Sequence, residues 1–157
     1  MFISMKKWIF FYGIILGSIL SASAQELAAK DVPSVVTASF KTRYAGASDT
    51  KWKLTKSGNY EADFKLDGKK SEAKFTKAGV WLSSEVRVGK DKIPAAISTY
   101  LKQNYSGHEV DKVTLKEDSE PAQKQYEVDL KKGSAETELT FDENGKFLKK
   151  KDKKPKA

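Results

Sequence analysis

Few residues in this sequence have the type and spacing that chemistry requires. His108 is the only histidine and follows Gly107; it could act as a general base or a single metal ligand, although a lone histidine on an exposed loop is more often just solvated. One histidine and no cysteine leave no histidine cluster, thiolate metal centre or disulfide. The run Asp142-Glu143-Asn144-Gly145 lacks the spaced ligands and distal glutamate of a calcium loop, and reads instead as a hairpin turn in which Gly145 supplies a positive φ. No glycine-rich phosphate loop or nucleophile elbow occurs. A hydrolase would need a perturbed, buried carboxylate pair, and no acidic position is singled out by pattern. The expectation is a chain without catalytic residues, cofactor or metal. Asn104-Tyr105-Ser106 has the form of a glycosylation sequon, but Tyr105 also belongs to a helical stripe and reads as structural.

Binding is better served than catalysis. In the stretch after Gly79, Val80, Leu82, Ser84, Val86 and Val88 share one parity, while Trp81, Ser83, Glu85 and Arg87 share the other. If the first set faces a core, Trp81 projects outward between polar neighbours, and Phe147 is its counterpart later in the chain. Trp81, Phe147, Arg87 and Glu85 are therefore the candidate partner-binding residues, since large rigid side chains and arginine dominate interface hot spots. Lys51, Lys53, Glu61, Asp63, Lys65, Glu72 and Lys74 would surround them as a mixed-charge rim. A bulge in the strand would reverse the parity and turn Trp81 inward.

These residues must be held by strands. Tyr60, Ala62, Phe64 and Leu66 alternate with Asn59, Glu61, Asp63 and Lys65, which gives a sheet with one apolar face and one charged face. Asp67-Gly68 and Ala78-Gly79 are turns, a strand from Asp49 to Thr55 precedes, and one from Val80 to Val88 follows. Before them, Val32-Pro33 opens a helix whose stripe is Val32, Val36, Phe40 and Tyr44, stopped by Ala45-Gly46. The pattern restarts 61 residues later at Ile93-Pro94, with Ile93, Ile97, Leu101 and Tyr105, and the stop Ser106-Gly107. A strand from Val110 to Glu117 follows, and a loop from Asp118 to Ala122 shifts the offset to 66. Tyr126, Val128 and Leu130 then match Tyr60, Ala62 and Phe64, and Phe141, Gly145 and Leu148 match Phe75, Gly79 and Leu82. The architecture predicted is α+β: two tandem repeats, residues 32–88 and 93–148, each a helix packed on a four-stranded antiparallel sheet.

Flanking segments complete the layout. Lys6 and Lys7 precede an apolar run from Trp8 to Leu20 and the small residues Ser21 to Ala24, the form of a signal peptide cut after Ala24. An uncleaved anchor is the other reading, but about 13 apolar residues fall short of the roughly 20 that span a bilayer. Residues 25–31 read as a short lead. The formal net charge of +8 includes Lys6 and Lys7, and the tail from Lys149 to Ala157 adds six lysines against one aspartate, so the folded part is close to neutral. A nucleic-acid partner, which calls for a basic patch on the fold itself, is not expected. The tail, residues 149–157, is expected to be disordered; it either keeps the chain soluble or makes weak contact with an anionic surface.

The pattern Val32-Pro33, Phe40, Tyr44-Ala45-Gly46-Ala47, Trp52, Gly58-Asn59-Tyr60-Glu61-Ala62 and Phe75-Thr76-Lys77-Ala78-Gly79-Val80-Trp81-Leu82 resembles the PepSY-like, β-lactamase-inhibitor-like family of small exported proteins of Bacteroidetes-type bacteria. The resemblance runs from Asp31 to Leu148. It implies the fold of the β-lactamase inhibitor protein, whose tandem helix-plus-sheet units clasp an enzyme on a combined concave sheet, and it implies no catalytic residue. That inhibitor carries disulfides, which this chain cannot form. The expected function is a non-catalytic binding module, periplasmic or secreted, that engages another envelope or secreted protein through the exposed sheet face, with inhibition one consequence. The other reading is a small-ligand or anionic-polymer binder that uses the groove between the repeats and the lysine-rich tail.

Overall fold

The computed structural model describes residues 25–153; the expected signal peptide with its cut after Ala24, and residues 154–157, lie outside them. The strands are β1 (Gln25–Leu27), β2 (Ser48–Leu54), β3 (Tyr60–Leu66), β4 (Lys69–Phe75), β5 (Trp81–Val88), β6 (Glu109–Ser119), β7 (Ala122–Lys132), β8 (Ala135–Asp142) and β9 (Phe147–Lys153), with helices α1 (Ser34–Arg43) and α2 (Ala95–Asn104). All nine strands form one antiparallel sheet in chain order. The four-stranded sheets expected of the two halves are thus joined edge to edge in a single sheet. β5 and β6 pair from Ser83 opposite Asp118 to Val88 opposite Val113, so two would-be edges satisfy each other's backbone donors and acceptors.

Each helix starts at a proline, where the missing N–H costs nothing, and ends in basic residues, Lys41 and Arg43 in α1 and Lys102 in α2, that suit the negative end of the helix dipole. Val32, Val36, Phe40 and Tyr44 are all buried, and Ile97 and Leu101 bury the second helix. Ladder partners share a face. Val86 lies opposite Leu115 and Val88 opposite Val113, which carries the apolar face across the seam, so both helices cover one side and leave the other bare. Gly79 (φ 79°) and Gly145 (φ 85°) close the β4–β5 and β8–β9 turns against the helices. A β-carbon at Gly79 would sit 2.8 Å from the Val35 carbonyl oxygen, and one at Gly145 2.7 Å from Ala96 Cβ, so only glycine fits either turn.

Other expectations need correction at their edges. Residues 25–31 are not a featureless lead: Leu27 lies opposite Trp52 in the sheet, as Val88 lies opposite Val113, and a 3₁₀ turn follows each, Ala29–Asp31 and Lys90–Lys92. β6 and β7 consume most of the loop read from Asp118 to Ala122, so the turn is Glu120-Pro121. The tail expected to be disordered from Lys149 is strand to Lys153, paired with β8. Its lysines find acids there: Lys153 Nζ donates to Asp129 Oδ1 at 2.8 Å and sits 3.2 Å from Glu138 Oε2, and Thr137 Oγ1 donates to Asp152 Oδ1 at 2.8 Å. Lysines along an edge strand also discourage pairing with another chain.

Candidate functional site

The four candidate residues separate into two pairs on opposite sides of the sheet. Trp81 lies opposite Phe75, which is fully buried, with a register shift between Lys74 and Phe75. Leu82 is the extra residue of that bulge, and it reverses the parity of everything before it. Trp81 therefore packs on the first core, under Arg43, whose guanidinium carbon lies 3.8 Å from the ring centroid. Phe147 does the same in the second half. It sits opposite Phe141 across a second bulge, at Leu148, and stacks on Tyr100 at 5.3 Å and 8°. The outward orientation expected of both aromatics is corrected. The signal was present in the pairs Trp81-Leu82 and Phe147-Leu148, where two large apolar residues in succession break the alternation.

Glu85 and Arg87 point to the helix-free side, as expected. That face carries no aromatic residue among the described strand positions and is instead laced with ion pairs. Lys53 meets Asp63 and, at 3.6 Å, Glu61; Lys74 meets Glu61 at 3.5 Å and Glu72 at 2.8 Å. Lys116 bridges Glu85 at 2.9 Å and Glu127 at 3.1 Å, and Lys112 joins Asp129 at 2.8 Å. Burial alone would raise the Asp129 pKa, but the hydrogen bonds from Lys112 and Lys153 outweigh it and hold the carboxyl below its ordinary value. Burial would likewise lower Lys116, and its bonds to Glu85 and Glu127 leave it raised. Glu61, Asp63 and Glu72 offer oxygens within 4.8 Å of one another, yet Lys53 and Lys74 already offset two of its three charges.

Arg87 breaks this pattern. It stands on β5, the fifth of nine strands, and among the described residues no carboxylate lies within ion-pair distance of it. Its counterpart by the offset of 66 is Lys153, which is held by Asp129 and Glu138. The acids that hold Lys153 correspond to Asp63 and Glu72, but those are met by Lys53 and Lys74, where the second half has Thr114 and Thr140; Lys70, in the place of Glu136, adds a like charge beside Arg87. Arg87, Lys70 and Lys112 border a depression of about 220 Å³ with Asp63, Glu72 and Glu85. Beyond Arg87 lies a cavity of about 550 Å³ whose cations, Lys69, Lys90, Lys112, Lys131 and Lys153, outnumber its anions, Asp111, Asp129 and Glu136.

On the helix side, a groove of about 500 Å³ separates the halves, between Arg43 and Trp81 on one flank and Asp142 to Asn144 on the other. Glu117 spans it, 3.9 Å from Arg43 and 3.6 Å from Lys124. His108, expected to be an exposed loop histidine, is half-buried. Its Nδ1 is shielded without a hydrogen-bond partner, and the Tyr105 ring lies edge-on 5.3 Å away. No helix among the described residues is long and apolar enough to cross a membrane.

Comparison with known proteins gives a family and a fold. The family model described as "Putative beta-lactamase-inhibitor-like, PepSY-like" matches residues 58–149. Among curated proteins none matches. Of solved structures, a BLIP-like protein from Bacteroides fragilis is 28% identical, with 76% of this chain and 85% of that chain covered and a TM-score of 0.60. A "putative periplasmic" protein from Bacteroides eggerthii is 22% identical over 77% of this chain and 88% of its own, at a TM-score of 0.63. A DUF2874 family protein from Bacteroides uniformis is 22% identical over 76% and 88%, at 0.61. The α+β fold is thus shared with a BLIP-like protein.

Proposed function

We propose, for a chain that belongs to the β-lactamase-inhibitor-like, PepSY-like family, that it is a non-catalytic, exported module of the periplasm which binds another envelope or secreted protein on its helix-free face. The two halves are tandem copies of one unit, and their joined sheets present that face as one surface. The partner offers an acidic patch, and where the partner is an enzyme its inhibition is one consequence. The observation that carries this reading is Arg87, an unpaired guanidinium in the middle of a face whose other strand charges are largely spent on one another. Arginine is favoured at hot spots, and its planar donors take a carboxylate in two bonds at once. The reading that relies on an anionic polymer has less support, because the inter-half groove sets Glu117, Asp118, Asp142 and Glu143 against Arg43 and Lys124, and Lys153 is already paired.

The test immobilises residues 25–157 and exposes them to an envelope extract of the source organism at about 50 mM and about 500 mM salt, beside Arg87→Glu. A charge-anchored partner is retained by the parent at low salt and released at high salt, because the screening length falls from about 14 Å to about 4 Å across that range. Arg87→Glu, on an exposed strand position, should melt within about 2 °C of the parent and retain none of it. A partner held equally by both chains removes Arg87, and with it this face, from the account.

A further inference from the structure

The two halves differ at one place in a way that leaves space. Phe40, Trp52 and Phe64 pack into the first half with ring centroids 5.0 to 5.3 Å from Phe40, and Tyr44 closes on Phe64 at 4.8 Å. At the corresponding positions the second half has Leu101, Val113 and Leu130. Tyr105, the counterpart of Tyr44, remains half-exposed. A cavity of about 430 Å³ opens there, beneath the C-terminal turn of α2, with Ile93, Leu101, Tyr105, Val110 and Leu130 as its apolar wall. That volume falls within the range of small-ligand sites, about 300 to 1,000 Å³.

The charged groups of the cavity are of one sign. Lys90, Lys102 and His108 line it together with Ser98 and Ser106, and no carboxylate does. Lys90 has a distant partner in Glu109 at 3.7 Å, whereas Lys102 has none among the described residues. His108 Nδ1 is shielded from solvent and so does not face this water-accessible space; the ring contributes wall, and the charge comes from the lysines. An apolar wall with a cationic rim is complementary to an amphipathic anion. We propose that this cavity binds a small monocarboxylic acid with an apolar body, its tail against Leu101, Val110 and Leu130 and its carboxylate accepting from Lys102, with Lys90 on the same rim. The site is separate from the helix-free face, and neither reading depends on the other.

The probe is decanoate, used below its micellar concentration on residues 25–157 with labelled methyl groups, with decanol as the carboxylate-free control. Saturable shifts at the Ile93, Leu101, Val110 and Leu130 methyls are expected with decanoate. Decanol, or decanoate on Lys102→Gln, should bind about tenfold more weakly, the cost of losing one charged hydrogen bond. Leu130→Phe restores the first-half residue and should abolish binding by filling the space. Should that variant fold poorly, Lys102→Glu, on the exposed helix surface, makes the same test by repelling the carboxylate. Equal affinity for decanol and decanoate, shifts confined to residues outside the cavity, or binding unchanged in Lys102→Glu would each overturn the proposal.

Discussion

The first half of the molecule fills the space between helix and sheet with rings, and the second fills it with aliphatic side chains and a cavity. Phe40 touches Tyr44, Trp52, Phe64 and Phe75 at centroid distances of 5.0 to 6.3 Å. The second half hangs its aromatic contacts on the neighbouring helix position, where Tyr100 meets Phe141 and Phe147, the counterparts of Phe75 and Trp81, each at 5.3 Å. Tyr100 corresponds to Ser39, which lies against the Gly79 turn. The backbone plan is the same in both, so what the difference teaches is that helix and sheet tolerate redistribution of core volume along their contact. Where that redistribution thins the core, the vacated space can be put to use.

The largest expected effect separates the halves by that filling. Phe40→Ala removes a ring with four aromatic neighbours and should cost about 4 kcal/mol, while Leu101→Ala, at the edge of an existing cavity, should cost about 2.5 kcal/mol. Urea unfolding of both variants measures the gap. Equal costs would mean that the cavity wall is as tightly supported as the aromatic core, and the contrast between the halves would be lost.

The sequence made much of this visible because alternation and turn glycines are local signals. The stripe Val32, Val36, Phe40 and Tyr44 is buried as its spacing predicts, and Asp67-Gly68 turns with positive φ at both residues. What escaped were consequences of pairing. Nothing local to β5 or β6 says that they join, yet that contact turns two sheets into one. For Trp81 the bulged orientation holds and the outward one fails, and Phe147 follows it, because one inserted residue, Leu82 or Leu148, flips a whole parity. The strand from Lys149 to Lys153 is invisible to composition, since its stability rests on Asp129 and Glu138 from other strands. Arg87 is a candidate by type and strand position, but its lack of a partner depends on Lys53 and Lys74 taking Asp63 and Glu72.

A middle-sized effect compares the charged faces. Asp63 and Asp129 correspond by position, but the Asp63 side chain is 38% exposed with one lysine, and Asp129 is 11% exposed between two. Asp129→Asn should cost about 2 kcal/mol, because Lys112 and Lys153 lose their shared partner, and Asp63→Asn under about 1 kcal/mol. The folded Asp129 pKa lies below 3.8, so its contribution is present above that value and disappears as the pH falls through the lowered one. The melting difference between parent and Asp129→Asn should therefore persist from about pH 5 to 8 and close in stronger acid. A difference that survives protonation would assign the cost to packing.

The smallest effect is also the most discriminating, because it exchanges the two cores at a single position. Phe64→Leu places the second-half residue in the first half, where Phe40 and Tyr44 rings stand 5.0 and 4.8 Å from the replaced ring; it should cost about 1.5 kcal/mol, in lost apolar contact and a new void. Leu130→Phe places the larger residue in the cavity wall, at a side chain only 1% exposed, and should shift stability by less than about 1 kcal/mol in either direction as the ring turns from that buried site into the cavity. Were both halves packed to the same density, the second substitution would be the worse of the two, because overpacking forces side chains and backbone to move. Two unfolding curves decide it. A Leu130→Phe penalty above that of Phe64→Leu would show that the space beneath α2 is closed to added carbon, and a smaller one would show that the second half holds room for a ligand that the first half has filled with its own rings.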